Sequence, residues 1–265
     1  AGLHLWRWYF SYRALVRAKV TALRLAQLDP DDPLEPDLRL SLGRYLDLAA
    51  RAGQSDPARG GLPQALYLCH GVSGSGKSHL ARRLCDRTGA IQLRSDVERR
   101  RLFGRWGVAG GPRWREEPGA DPYGLAVSRD LYHQRLPACA DAILAAGLSV
   151  VVDATYLKSS HRAVMADLAQ RWQVPFAILD CRVSPDVARR RIDQRLHQGG
   201  DASEANGAIL ERQLLEQEAF CEQEWSRVVS IDMTSEMSDS SDMQLNESCQ
   251  FEQLLNNLKD LFLTV

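Results

Sequence analysis

Residues 71–84 read GVSGSGKSHLARRL and directly follow the apolar run ALYLCH at 65–70. The stretch fulfils the pattern GxxxxGK[ST] through Gly71, Gly76, Lys77 and Ser78. Glycines at these places let the backbone turn tightly and direct successive N–H groups inward, and a helix that begins here adds the positive end of its dipole. The stretch therefore predicts a strand, a phosphate-binding loop (P-loop) and a helix, in that order.

The same loop predicts how a nucleoside triphosphate and a metal ion are held. We expect the β- and γ-phosphates to lie against the loop and Lys77, and the Ser78 hydroxyl to bind Mg²⁺. The predicted nucleotide contacts are Gly71, Val72, Ser73, Gly74, Ser75, Gly76, Lys77, Ser78 and His79. The alternative is a glycine-rich turn without a ligand. Lysine usage favours the phosphate site, because the 33 basic residues include only four lysines and a slim point charge suits phosphate.

Three classes of nucleotide-binding protein compete for this loop. A GTPase needs an NKxD guanine-reading motif, and the sequence contains no Asn-Lys pair. A mechanical ATPase usually has a glutamate after its metal-binding aspartate, whereas Asp153 is followed by Ala154 and Thr155. A phosphotransferase needs a base for the acceptor hydroxyl and arginines that close over the transferred group. Residues of the last kind are present.

A candidate base lies in AIQLRSDVERRRL, residues 90–102. Asp96 follows the second predicted strand, at the edge where α/β sheets bind ligands. A carboxylate there can deprotonate an acceptor hydroxyl, and Arg99, one helical turn later, can hold an anionic group of the acceptor. The alternative is a helix N-cap at Ser95 or Asp96, followed by solvated arginines.

An arginine-rich helix is predicted at SPDVARRRIDQR, residues 184–195. Arg191 and Arg195 share a face of this helix. On a lid of about residues 184–205 they would neutralise phosphate charge in the transition state. The two glycines after the helix would then be a hinge or simply a helix stop. The alternative is an exposed helix whose arginines pair with its own acidic residues.

Polar residues follow the apolar run SVVVD, residues 149–153. Asp153 is expected either to hold the water shell of Mg²⁺ or to orient the acceptor, with Thr155 beside it, and its alternative role is a strand-end cap. The next polar residues belong either to the substrate site or to the exposed surface, and they are Lys158, His161 and Arg162. We expect His70 to be a strand-end residue.

Short apolar runs alternate with helical stretches after residue 64. Runs without polar alternation predict a parallel sheet covered on both faces. Five strands are predicted near residues 65–70, 90–94, 148–153, 175–181 and 227–232. We also expect a helix around 209–225. The predicted organisation is a helical segment at 1–55, a linker at 56–63 and an α/β domain at 64–265, which ends in a polar linker at about 234–249 and a closing helix at about 250–263.

Composition limits the function classes. The 33 basic and 34 acidic residues nearly cancel, so overall charge does not favour a nucleic-acid or membrane-surface protein. The sequence predicts no transmembrane helix and no secretory signal. The six cysteines form no CxxC pair and predict neither a zinc site nor a redox motif. We therefore expect a cytoplasmic protein, and the initial alanine suggests a fragment.

Taken in order, the P-loop, RSDVERRRL, VVVDATYLKSSHR and SPDVARRRIDQR resemble the P-loop kinases of the polynucleotide kinase, zeta-toxin and gluconate kinase kind. In particular, residues 64–233 resemble the AAA-type ATP-binding domain that is fused behind bacterial aminoglycoside phosphotransferase-like domains. The resemblance implies a three-layer α/β/α P-loop fold with sheet order 2-3-1-4-5, ATP with Mg²⁺, and transfer of the γ-phosphoryl group to a hydroxyl. The N-terminal helices resemble the end of a phosphotransferase-like lobe, which implies fusion to or contact with such a domain.

Carried over by position, the resemblance to the phage polynucleotide kinase domain implies that Asp96 is the general base and Arg99 the acceptor-phosphate arginine. The two lid arginines of that enzyme match Arg191 and Arg195. The VVVDAT stretch is similar to its third-strand motif, although the residue after Asp153 differs. The resemblance therefore implies a general base, an arginine that binds the acceptor, and a lid.

The sequence as a whole predicts an ATP-dependent phosphotransferase. Its predicted catalytic residues are Lys77, Asp96, Arg99, Arg191 and Arg195, and its predicted metal ligands are Ser78 and Asp153. The acceptor is a small molecule, a nucleotide or a nucleic-acid 5′-hydroxyl, of which nucleic acid is not favoured. Segment 103–123 lies where such kinases shape acceptor specificity, and its aromatic and arginine side chains either stack on an acceptor or pack a loop. The alternative is a regulatory module that binds or slowly hydrolyses ATP to control a fused phosphotransferase-like domain.

Overall fold

The structure is a computed structural model that describes residues 2–29, 32–53, 62–102, 123–198, 206–234 and 241–263. The chain divides into two compact units, Ala1–Pro57 and Ala58–Val265. Some sequence predictions lie outside the described residues: most of the linker, segment 103–122, the glycines after the lid helix, and residues 235–240. None of the helices in the described ranges is long and apolar enough to cross a bilayer.

The first unit is a pair of packed helices, α1 (Leu3–Leu25) and α2 (Glu35–Gly53). The small side chains that are buried in it are Ala14, Ala18 and Ala49. Such side chains let two helix backbones approach closely. The Ser11 hydroxyl also donates a hydrogen bond to the Ala49 carbonyl oxygen at 3.0 Å, which ties α1 to α2.

The second unit is built on a five-stranded parallel sheet. Its strands are β1 (Leu66–His70), β2 (Ile91–Arg94), β3 (Val150–Asp153), β4 (Phe176–Arg182) and β5 (Val228–Asp232). Their order across the sheet is β2-β3-β1-β4-β5. Every residue of β1 and β3 is buried, as expected of apolar strands covered on both faces. The predicted strands, their parallel direction and their order are confirmed.

Nine helices of this unit lie in the described ranges. They are α3 (Lys77–Thr88), α4 (Ser95–Leu102), α5 (Leu125–Asp130), α6 (Leu136–Ala145), α7 (Ser159–Trp172), α8 (Pro185–Gln198), α9 (Gly207–Glu216), α10 (Glu222–Trp225) and α11 (Ser241–Leu263). A π-helical turn, Leu131–Arg135, joins α5 to α6. α11 begins earlier than the closing helix predicted at about 250, because a polar stretch can still contain good helix formers such as Met, Gln, Leu and Glu.

Helices α3 and α11 share one buried cluster with the sheet. Leu84 of α3 and Leu258 of α11 belong to the same apolar cluster as Tyr67 of β1. Helix α6 contacts β3, and α7 contacts β1. Burial of these apolar side chains stabilises the layered arrangement and holds the sheet in place.

The strand register brings the functional loops to one edge of the sheet. In the parallel pairs, His70 lies opposite Asp180 and Arg94 lies opposite Asp153. The P-loop leaves β1 at this level, and α4 leaves β2 there. Since ligands of open parallel sheets bind outside the carboxyl ends of the strands, this edge is the place to look for a site.

Candidate active site

The loop between β1 and α3 has a backbone that glycine adopts more easily than other residues. Gly71 and Gly74 have φ angles of +130° and +82°. A Cβ on Gly71 would lie 2.7 Å from the carbonyl oxygen of Cys181, and one on Gly74 would lie 2.5 Å from that of Ala188. Both the backbone angle and the space therefore require glycine at these two positions.

Helix α3 begins directly after this loop. Gly76 precedes it with a φ of +89°, and no side chain caps the first turn. The first N–H groups of a helix lack intrahelical partners and carry partial positive charge. This end of α3 is therefore suited to a phosphate group.

The Lys77 side chain is buried inside the loop. Its ammonium donates hydrogen bonds to the Val72 carbonyl oxygen at 2.6 Å and to the Ser75 hydroxyl oxygen at 3.3 Å. Burial lowers the pKa of Lys77, and the negative charge of Asp153 opposes that shift. An anion bound in the loop would stabilise this buried charge.

Ser78 and Asp153 are hydrogen-bonded neighbours. Burial raises the pKa of Asp153, while the hydrogen bond with Ser78 and the charge of Lys77 oppose the shift. Gln92 Nε2 donates to Asp153 Oδ2 at 2.9 Å, and Arg94 Nε lies 3.6 Å from the same oxygen. No group of three or more His, Cys, Asp or Glu among the described residues can hold a metal. A hydroxyl beside a carboxylate nevertheless fits Mg²⁺, which commonly combines one or two protein oxygens with phosphates and water.

Asp96 follows β2, whose last residue, Arg94, lies opposite Asp153 in the parallel register. It is in the first turn of α4, which begins at Ser95. Its charge acts on Lys77, on Asp153 and on Tyr132 of the π-helical turn. The carboxylate predicted as a base is therefore close to both the phosphate loop and the predicted metal ligand.

Arg99 and Tyr132 form the adjoining wall of the site. The Arg99 guanidinium carbon lies 4.6 Å from the centre of the Tyr123 ring, and Arg99 is buried. Burial raises the pKa of Tyr132, and the positive charge of Arg99 opposes the shift. The Tyr132 hydroxyl is hydrogen-bonded to the Thr155 hydroxyl at 2.9 Å. Tyr132 was not among the sequence candidates, because no local motif marks a residue of a π-helical turn.

The arginines of α8 differ in their contacts. Arg191 Nη2 donates to the Met233 carbonyl oxygen at 2.8 Å, and its Nη1 donates to the Gly74 carbonyl oxygen at 3.5 Å. Arg195, one turn later, is partly buried. Arg189 instead forms exposed ion pairs with Asp186 of its own helix and with Glu211 of α9. Only the first of these pairs is of the kind that the alternative prediction describes. The structure therefore brings Arg191 into contact with the P-loop.

A narrow cleft runs beside the start of α3. The residues that line it include His79, Leu80, Arg83, Arg191, Met233, Phe251 and Leu254. The Arg83 guanidinium carbon lies 4.4 Å from the centre of the Phe251 ring. Mostly apolar walls with a few polar groups are typical of a site for a flat ring.

Arg162 is neither an exposed residue nor one that can touch substrate, because its exposed fraction is 1 %. Its Nε and Nη2 donate to the Glu224 carboxylate at 2.6 and 2.9 Å. The Nη2 atom also donates to the Ala219 carbonyl oxygen at 3.1 Å. The sequence predicts one continuous helix here, but the structure has a non-helical segment between α9 and α10. The hydrogen bond from the buried guanidinium to the Ala219 carbonyl oxygen stabilises that segment.

The two histidines noted in the sequence are partly or fully buried. His70 Nδ1 lies 2.8 Å from Asp180 Oδ1 at the end of β1, in agreement with a strand-end residue. His161 stacks on the Tyr132 ring, with centroids 4.5 Å apart and an interplanar angle of 7°. Burial lowers the pKa of His161 to about 4, and the neighbouring His133 and Lys158 add to the shift. His161 is therefore neutral at pH 7.

Gln213 is a contact of the P-loop that the sequence does not reveal. Its Oε1 accepts a hydrogen bond from the backbone N–H of Ser73 at 2.7 Å. Gln213 lies on α9, far from the loop in sequence. No spacing rule predicts such a contact, since it depends on how α9 packs after α8.

The geometry defines an α/β protein of the P-loop class. Residues 66–220 match the AAA domain family, and the chain belongs to that family.

Known proteins with similar sequences are longer than this chain. Over 204 residues, 76 % of this chain, it is 31 % identical to the uncharacterized protein Rv2004c of Mycobacterium tuberculosis strain H37Rv. The uncharacterized protein Mb2027c of Mycobacterium bovis gives the same values. The match covers 37 % of each relative, so the chain spans little more than a third of their length.

Known structures share the fold. A sugar kinase from Janibacter sp. HTCC2649 is 22 % identical with a TM-score of 0.47, over 71 % of this chain and 92 % of that chain. Kti12 of Chaetomium thermophilum, solved in complex with ADP-AlF3, is 15 % identical with a TM-score of 0.52, over 74 % of this chain and 98 % of that chain. The likeness to Kti12, whose TM-score is above 0.5, supports the fold alone at this identity.

Proposed function

We propose that this chain is an ATP-dependent phosphotransferase that moves the γ-phosphoryl group of ATP to a hydroxyl of an acceptor. The observation that carries the proposal is the position of Asp96 in the first turn of α4, directly after β2, whose last residue Arg94 lies opposite Asp153 in the parallel register. The Asp96 charge also acts on Lys77 of the P-loop. A nucleotide switch or a motor has no need of a carboxylate there, whereas a kinase needs a base beside the phosphate.

In this proposal the P-loop and the neighbouring cleft bind the donor. The loop amides, the start of α3 and Lys77 bind the β- and γ-phosphates. The base of ATP lies in the cleft lined by His79, Met233 and Phe251. Kti12, which shares the fold, was solved in complex with ADP-AlF3.

Ser78 and Asp153 would hold Mg²⁺, because a hydroxyl and a carboxylate lie together beside the loop. The ion would supply positive charge that stabilises the phosphate oxygens during transfer. Arg94 and Gln92 hold the Asp153 carboxylate from the other side. These contacts fix the carboxylate in position before any ligand binds.

The transfer itself is assigned to Asp96 and the arginines. Asp96 accepts the proton of the acceptor hydroxyl as its oxygen forms a bond to the γ-phosphorus. The bond between that phosphorus and the β–γ bridging oxygen breaks, and ADP leaves with the electron pair. Arg99 orients the acceptor, while Arg191 and Arg195 stabilise the charge on the transferred group.

The test is transfer of labelled phosphate from [γ-³²P]ATP in the Asp96→Asn variant. We expect transfer to fall by about 10²–10⁴-fold, because the amide cannot accept the proton, while nucleotide affinity stays near that of the wild type. Asp186→Asn is the control, since that carboxylate is exposed on α8. Unchanged turnover in Asp96→Asn would refute the assignment of the base.

A second candidate function is regulation by ATP of a phosphotransferase-like domain in a longer protein. The relatives are compatible with it, since this chain spans only 37 % of their length. In that case hydrolysis would not respond to any added acceptor, and nucleotide binding would alter the activity of the longer protein. Acceptor-stimulated transfer by the chain itself would exclude regulation as the sole function.

A further inference from the structure

A second and larger cavity opens beside the end of β3. Its volume is about 630 Å³, a size typical of a site for a small molecule. Five parts of the chain supply the walls: α4, the segment of α5 with the π-helical turn, the residues between β3 and α7, the start of α7, and α9. All of them belong to the second unit.

The charge of the cavity lining is strongly one-sided. Its permanently positive side chains are Arg99, Arg129, Lys158 and Arg212. Glu216 is the one carboxylate among the described lining residues. His161, with a pKa of about 4, adds no positive charge at neutral pH. Four cations against one carboxylate give a lining that attracts anions and repels cations.

The single carboxylate sits between two of these cations. Glu216 Oε2 lies 3.8 Å from Lys158 Nζ, and its Oε1 lies 3.9 Å from Arg212 Nε. All three side chains are partly exposed, so these pairs are weak and can exchange for other partners. The arrangement shows that Lys158 and Arg212 can bind one anionic group together.

The cavity also adjoins the residues assigned to transfer. Tyr132 and Arg99 line it, and Asp96 acts electrostatically on Tyr132. Gln213 lines it too and accepts the Ser73 N–H of the P-loop. The cavity therefore adjoins one residue that contacts the P-loop, Gln213, and one that is affected by the charge of Asp96, Tyr132.

We propose that this cavity binds the acceptor, and that the acceptor is a small molecule bearing both a hydroxyl and an anionic group such as a carboxylate or a phosphate. The anionic group takes the place of Glu216 between Lys158 and Arg212, and the hydroxyl lies toward Asp96. This inference rests on the proposed phosphotransferase function. Polycationic acceptors such as aminoglycosides do not fit a lining of this charge.

The first test measures binding without chemistry. Inorganic phosphate is titrated into the full chain saturated with Mg²⁺ and AMPPNP, so that the P-loop is already filled, and calorimetry gives the affinity. We expect Lys158→Gln combined with Arg212→Gln to weaken phosphate binding at least about tenfold. Glu216→Gln should strengthen it about threefold, since a competing anion is removed.

Arg189→Gln is the matched control, because this arginine lies on α8 in exposed ion pairs outside the cavity. It should bind phosphate like the wild type. The phosphate affinity should fall in the Lys158 and Arg212 double variant and rise in the Glu216 variant. A loss of folding could not raise the affinity, so the two variants together distinguish a change in the site from unfolding. Absence of phosphate binding, or equal affinity in all variants, would overturn the anion site whatever the enzyme does.

The second test compares acceptors in matched pairs with [γ-³²P]ATP: glycerol with glycerol 3-phosphate, glucose with gluconate, and ribose with ribose 5-phosphate. We expect transfer to an anionic member and a rise in its KM, with a smaller change in kcat, when Lys158 and Arg212 are both changed to Gln. The result would be different if the protein preferred the neutral members, an aminoglycoside or an oligonucleotide 5′ end to the anionic members. That preference would reject an anionic small molecule as acceptor but keep the proposed kinase function. Phosphate binding at the cavity without transfer to any acceptor would keep the anion site and reject the proposed function.

Discussion

The donor side and the acceptor side of the site are built in different ways. The phosphate-binding part of the proposed donor side is one continuous stretch, from Gly71 to Ser78, with the start of α3. The proposed acceptor cavity is assembled from α4, α5 with the π-helical turn, the residues after β3, the start of α7, and α9. The ligand of a local loop can be predicted from the spacing of its residues in the sequence. The ligand of a cavity made of distant segments depends on how these segments pack in the folded protein. Predictions about the two sides therefore differ in size and in kind.

The largest effect is expected on the donor side, from Lys77→Met. Transfer should fall by about 10²–10³-fold, because the charge that stabilises the transferring phosphate is lost. The folded protein should be less stable by about 1–3 kcal/mol, because the buried Val72 carbonyl oxygen loses its donor and Asp153 loses a neighbouring positive charge. Radiolabel transfer and urea unfolding measure the two quantities.

Lys259→Met is the control for Lys77→Met, because it removes a lysine of α11 outside the site. It should leave transfer unchanged. A Lys77→Met protein that transfers phosphate at the wild-type rate would show that the loop does not bind the donor as proposed.

A smaller effect, on stability, is expected from Gly74→Ala. The new Cβ would meet the Ala188 carbonyl oxygen at 2.5 Å at a φ of +82°, so the loop must move. Strain and the clash should lower the free energy of unfolding by about 2–3 kcal/mol and weaken nucleotide binding. Urea unfolding and nucleotide titration measure both effects.

Gly147→Ala provides a matched control for that substitution. Gly147 has a comparable φ of +71°, but a Cβ there has nothing within 4 Å. It should cost only about 1 kcal/mol, the cost of the backbone angle. Equal losses in the two variants would mean that the contact between the P-loop and α8 is unimportant.

The difference between the two sides also explains what the sequence could predict. The P-loop, the five strands and the position of Asp96 follow from local spacing and from the common edge of parallel strands. Tyr132, Gln213 and the buried state of Arg162 depend on packing between segments far apart in the chain. The polar residues around Arg162 do not indicate that its side chain is buried. The sequence therefore predicts Arg162 at the surface or in contact with substrate.

The smallest effect is expected on the acceptor side, from the titration of His161. Its pKa is about 4 in the folded protein and ordinarily 6.5. The unfolded chain therefore takes up a proton first, and the wild type loses stability as the pH falls from 6.5 toward 4, but not above 6.5. Because the ring is only partly buried, solvent screening reduces the loss to about 1 kcal/mol.

His161→Phe removes this titration while keeping a flat ring against Tyr132, where the imidazole now stacks at 4.5 Å. Urea unfolding of both proteins is compared at about pH 7.5, where His161 has no effect, and at about pH 5, where it does. The wild type should lose about 1 kcal/mol more than the variant between the two conditions. Parallel losses would show that His161 is protonated equally in the folded and unfolded states, and that burial beside Tyr132 does not disfavour its positive charge.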